Sequence, residues 1–129
     1  MNDKTINNWL KIAEYDLTSA EAMLNSKRYI YVAFMCQQAI EKLLKAIYVK
    51  QKNETPPYIH NLNKLFSSIK LDDKISDVKK LFIVELNNYY VESRYAEDIA
   101  EISKKINKKK ATEILKVTQE LFEWLKCNI

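Results

Sequence analysis

Apolar residues recur along this chain with the period of an α-helix, and no stretch shows the alternation of a strand. Ile6, Leu10, Ala13, Leu17, Ala20 and Leu24 step by fours and threes, which places them on one face of a helix over residues 3–25. Asn25 is the expected substitute for the glycine that commonly ends a helix. A second helix is predicted from Tyr29 to Lys52. Its apolar residues occupy more than one face: Ala33, Cys36, Ile40, Leu43 and Ile47 on one, Phe34, Ala39 and Ala46 elsewhere. So wide an apolar arc belongs at the centre of a bundle. Residues 53–58 read as a linker, because Pro56-Pro57 forbids helix there.

Beyond the linker, a short helix is expected over residues 61–68, capped by Asn61, with Leu62, Leu65, Phe66 and Ile69 facing inward. Asp72 and Asp73 suit a turn and the start of the next helix. Ile75, Val78, Phe82, Leu86 and Tyr89 trace that helix to about Val91, and residues 92–103 fit no single pattern. A last helix is predicted over residues 104–127, its inward stripe being Ala111, Ile114, Leu115, Thr118, Leu121, Phe122 and Leu125. The expectation is an all-α fold: an up-and-down four-helix bundle with one additional short helix, forming a single domain over residues 1–129.

Composition narrows the chemistry. The 129 residues are 47% hydrophobic and 29% charged, which supports a packed core. None is glycine, where an average chain of this length holds about nine. Gly-rich phosphate loops, GxGxxG dinucleotide turns and nucleophile elbows are therefore excluded. The net charge of +4 permits a polyanionic partner without requiring one. Only Arg28 and Arg94 among the basic residues are arginines. Cys36 and Cys127 match no metal-ligand spacing, Cys36 reads as core, and no disulfide is expected. The first residues lack the apolar block of a signal peptide, and no apolar run is long enough to span a bilayer. A cytoplasmic protein without metal or cofactor, and without a membrane role, is expected. The eight tyrosines favour an interface, and with it a homodimer.

Three groups of residues could carry function. Gln37, Glu41 and Lys45 step by four along the second helix and form a polar file on an oily element. The file is either a solvated edge or a strip facing a partner or a cleft. Lys104, Lys105, Lys108, Lys109 and Lys110 put five lysines in seven residues. At a helix start they oppose the dipole, so they form a solvated charged turn, a polyanion contact or a docking site for an acidic partner. No aromatic residue is interleaved with them, which argues against stacking on single strands. Arg94, beside Tyr90 and Tyr95, either pairs with Glu92, Glu97 or Asp98 or binds phosphate. His60, the sole histidine, opens the short third helix in a packing, capping or acid–base role.

Taken together, several segments resemble the HEPN domain (higher eukaryotes and prokaryotes nucleotide-binding). They are Trp9, Ala13, Asp16, Leu17 and Ala20; Tyr29, Ala33 and Phe34; the block Gln38-Ala39-x-Glu41-Lys42-x-Leu44-Lys45-Ala46; His60-Asn61-Leu62; and Leu86-Asn87 with Tyr90, Arg94 and Tyr95. The resemblance spans most of residues 9–95, and the Gln-Ala-x-Glu-Lys block is its most specific part. It implies a helical bundle that dimerises. It also implies a prokaryotic two-component setting of toxin–antitoxin type, with a minimal nucleotidyltransferase as partner. Active relatives are implied to be metal-independent ribonucleases using an Arg-x(4–6)-His motif near the dimer interface.

That motif is absent from this chain. Counting from Arg94, the required histidine would be Ile99, Ala100 or Glu101; from Arg28 it would be Ala33, Phe34 or Met35. Counting back from His60, the arginine would be Asn53, Glu54 or Thr55. Ala96 also stands where proline is common in the family. The leading expectation is therefore a binding module, a dimeric partner of a minimal nucleotidyltransferase associated with nucleotide or RNA. Gln37, Glu41, Lys45, Tyr90 and Tyr95 are its candidate binding residues. One alternative is a divergent ribonuclease using Arg94 with His60 or Glu101. Another is a stand-alone nucleotide- or polyanion-binding module using the lysines at 104–110.

Overall fold

A computed structural model describes residues 3–71, 74–95 and 99–129, and the side chains of residues 3–71, 74–89 and 100–129. Six helices stand among them: α1 (Asp3–Asn25), α2 (Tyr29–Lys52), α3 (Leu62–Ser67), α4 (Asp77–Tyr95), α5 (Ile99–Lys105) and α6 (Lys108–Cys127). Four are long and two are short, so α5 is one short helix more than the pattern predicted. Part of the stretch with no single pattern is thus the end of α4, and part is α5. The expected turn at Asp72 and Asp73 lies outside the described residues.

Helix α2 occupies the centre and packs against α1, α3, α4, α5 and α6. Its apolar arc explains why: Val32, Ala33, Cys36, Ala39, Ile40, Leu43, Leu44, Ala46 and Ile47 are all buried. Helix α6 runs antiparallel to α1, since Gln119 bonds Glu21 and Lys126 bonds Glu14. Its inward stripe is the predicted one from Ala111 to Leu125. Helix α3 follows the expected cap, with Asn61 accepting a hydrogen bond from the Lys64 amide at 3.0 Å.

Three local expectations change. Asn25 does not close α1; Lys27 does, with a left-handed φ of 63°. Its amide donates to the Leu24 carbonyl, and the Arg28 amide donates to that of Met23, which is the Schellman closure. A lysine there carries a Cβ clash that glycine avoids. Lys27→Gly is therefore expected to stabilise the fold by about 0.5–1 kcal/mol, seen as a higher urea midpoint.

The inward face of α4 is Phe82, Ile83, Leu86 and Tyr89, whereas Val78 is 75% exposed. At about 100° per residue, Val78 lies roughly 140° around the helix from Ile83, on the rim of the core face. Ile75 is buried but precedes the helix, which begins after Ser76; the Ser76 hydroxyl accepts from the Lys79 amide. Finally, α6 starts at Lys108 and not at Lys104, because Asn107 caps it through the Lys110 amide at 2.9 Å. Lys104 and Lys105 instead end α5, where positive charge suits the helix dipole. Lys108, Lys109 and Lys110 remain in the first turn of α6 and oppose it.

Cys36 lies in the core, and burial pushes its thiol up to about 12, against the opposing pull of the adjacent Thr118 hydroxyl. Cys127 is exposed and free. A thiol reagent at pH 8 is expected to modify Cys127 alone in the native protein and both cysteines in denaturant. Rapid modification of both in the native state would contradict this packing.

Candidate functional site

The helical repeat stacks Gln37, Glu41 and Lys45 one turn above another on α2. They are not a solvated edge: Gln37 is 0%, Glu41 1% and Lys45 5% exposed. The linker makes the difference. After Pro56-Pro57 the chain folds back along α2, and His60 meets the file from the side. Its Nδ1 sits 3.1 Å from both carboxylate oxygens of Glu41. The His60 carbonyl accepts from Gln37 Nε2 at 3.1 Å, and the next turn is fastened to α4 by the Leu62 amide donating to Asn87 Oδ1 at 2.8 Å. Backbone and ring are therefore both fixed.

Lys45 completes the group, its Nζ 3.2 Å from Glu41 Oε2. The ammonium also lies 5.6 Å from the ring centre of Trp9 and 6.0 Å from that of Tyr58, within cation–π range. Tyr58 meets the His60 ring edge-on at 5.7 Å. Beside the file, Gln38 Nε2 donates to Gln37 Oε1 at 2.7 Å, and Lys42 reaches Gln38 and Asp16. Burial raises the Asp16 carboxyl above the ordinary carboxylate range, and the Lys42 charge only partly counters it. These bonds tie α1 to the polar face of α2.

The chemistry of this arrangement is specific. A carboxylate only accepts, so Glu41 selects the tautomer with hydrogen on His60 Nδ1. Nε2 is then the acceptor nitrogen of the neutral ring. The His60 side chain is 39% exposed while Glu41 is buried, so an acid–base group at the surface is oriented by a carboxylate beneath it.

The structure thus unites four sequence candidates: Gln37, Glu41, Lys45 and His60. The side chains of Tyr90, Arg94 and Tyr95 lie outside the described residues, as do those of Glu92, Glu97 and Asp98. Glu101 is exposed on α5. Lys104, Lys105, Lys108 and Lys109 are exposed, but Lys110 bridges to Glu85 of α4 at 2.7 Å. Two contributors to the site, Trp9 and Tyr58, carry no sign of that role in the sequence. They come from separate segments, and only folding brings them to Lys45. Among the described residues there is no cluster of three or more metal-ligating side chains, and no helix is long and apolar enough to cross a membrane.

This is a helical bundle whose central helix buries a carboxylate and an ammonium beneath a tethered imidazole. The sequence pattern of the HEPN domain matches residues 6–128, and the chain belongs to that family. Its fold is similar to that in the crystal structure of TT1696 from Thermus thermophilus, with a TM-score of 0.84 at 22% identity over the whole of both chains. A comparison with curated proteins finds no match. The block from Gln38 to Ala46 that carried the resemblance supplies Glu41 and Lys45 to the site.

Proposed function

We propose that this HEPN domain acts by association: a homodimer that partners a separate minimal nucleotidyltransferase in a toxin–antitoxin-like system. The observation that carries this reading is the outer face of α4. Val78, Leu81 and Val84 stand there at 75%, 70% and 47% exposure, spaced by threes on one side of the helix. Contiguous exposed apolar side chains of this kind suit association. The missing Arg-x(4–6)-His motif points the same way. The test is to co-express the chain with the product of the neighbouring gene, then use affinity capture and light scattering. A dimer and a captured nucleotidyltransferase are expected, with Leu81→Lys weakening association. A monomer at micromolar concentration that captures no nucleotidyltransferase would overturn the proposal.

One observation favours a second reading, a divergent metal-independent ribonuclease. Glu41 orients His60 as an acid–base pair requires. On this reading His60 transfers the proton and Arg94 steadies phosphate charge. It expects RNA cleavage in EDTA that is lost in both His60→Ala and Arg94→Ala. No cleavage at any pH removes it.

A further inference from the structure

We infer that the groove between α4 and α6 is a docking site for a basic amphipathic helix of a partner protein. The two helices run antiparallel and meet at two points. Lys110 Nζ lies 2.7 Å from Glu85, and Lys79 Nζ lies 5.9 Å from the ring centre of Trp124. Between the helices stands a cavity of about 260 Å³ lined by Val78, Phe82, Val117 and Leu121 together with Lys79 and Glu120, among others. Val78 is 75% exposed, Leu81, one turn on, is 70% exposed, and Val117 is half-buried. The apolar surface therefore continues out of the cavity along α4. A small molecule held in the cavity would leave that part wet.

The backbone decides the form of the occupant. Two helices wall the groove, and their mid-helix N–H and C=O groups are already paired, so an extended peptide finds no edge to pair with. A helix satisfies its own backbone and presents side chains alone.

Charge decides its polarity. Glu113 and Glu120 stand two turns apart on the same side of α6. The Glu113 side chain is 62% exposed and lies 3.9 Å from Lys110, whose nearer partner is Glu85. Glu120 is exposed and, among the described residues, forms no ion pair. The lining lysine, Lys79, is half-buried against the Trp124 ring. The α6 bank is thus acidic on a chain whose net charge is +4, and it calls for a basic edge on the incoming helix. A second copy does not supply one from α4, where Asp77 and Glu85 step by four with Leu81. The inference rests on the association reading of α4 given above and names what that face holds.

The test is fluorescence anisotropy of two labelled synthetic peptides of about 18 residues, long enough for a stable bound helix. Both carry one leucine stripe, flanked by lysines in the first and by glutamates in the second. The lysine peptide is expected to bind the full chain at least about tenfold more tightly, against the pull of the chain's net charge. Glu120→Lys should weaken it about fivefold through like-charge repulsion, and Val78→Ser about as much through lost apolar burial. Glu54→Lys, an equal charge change on the exposed linker, should stay within about twofold. Circular dichroism melts establish that each variant is folded, and Leu81→Ser replaces Val78→Ser if that variant is not. The inference is overturned if the lysine peptide does not bind, if the glutamate peptide binds as tightly, or if the variant of either bank leaves binding unchanged. Light scattering covers the other occupant: a dimer that the lysine peptide dissociates would show that the groove holds a second copy, which also overturns it. Capture of a nucleotidyltransferase is a separate measurement, so it can fail while the peptide binds, and the reverse.

Discussion

Glu41→Gln is expected to destabilise the protein by about 3–5 kcal/mol, the range for removing one partner of a buried ion pair. Glu41 and Lys45 are 1% and 5% exposed, so the lysine left behind can reach little water. Its remaining neighbours, the rings of Trp9 and Tyr58, attract a cation but do not neutralise it. The same substitution takes the acceptor from His60 Nδ1 and loosens the segment that returns from the linker. The double variant Glu41→Gln/Lys45→Met tests the cause. With no charge left to strand, it should recover much of the loss, and the difference between the variants is the coupling energy. Lys42→Ala gives the contrast, because its pair with Asp16 is less buried and worth about 1 kcal/mol or less. Urea unfolding measures all of these. A Glu41→Gln loss below about 1 kcal/mol would show that the ion pair is not what holds the site.

The other large effect lies in the α6 stripe. Phe122 is 1% exposed and among the largest fully buried side chains. Phe122→Ala removes a ring and leaves a cavity, a loss of about 3–5 kcal/mol. For a chain of this size that corresponds to a fall in Tm on the order of 10–20 °C. Val78→Ser is the matched comparison. The sequence pattern places Val78 in the core and the structure leaves it 75% exposed, so its effect on the unfolding of the single chain, measured at a concentration too low for association, should stay within about 0.5 kcal/mol. If calorimetry found Val78→Ser the more damaging, the orientation of α4 described above would be wrong.

The contrast between Phe122 and Val78 shows what local pattern can convey. Helices α2 and α6 each bury a broad, continuous stripe, so period alone located the limits of α2 and every inward residue of α6. Val78 follows the spacing of its neighbours but falls at the edge of the face, where one turn decides between core and water. The start of α6 depended on Asn107, whose capping bond is made only once the chain has turned. Period likewise stacked Gln37, Glu41 and Lys45, but not their burial. That depends on residues 53–61 folding back over α2 and on Trp9 arriving from α1. Such meetings between distant segments leave little trace in any one of them. Only the order of short motifs from Trp9 to Tyr95 indicated that they belong together.

The position of α2 has a kinetic consequence. Every other helix rests on it, so no partial opening can release its mid-helix amides while the rest of the bundle stays intact. Deuterium should enter residues 36–47 only through whole-molecule unfolding, and more slowly than it enters α3 or α5. Glu41 and Lys45 sit within that slowest segment, so the polar cluster is among the last parts of the native state to be lost.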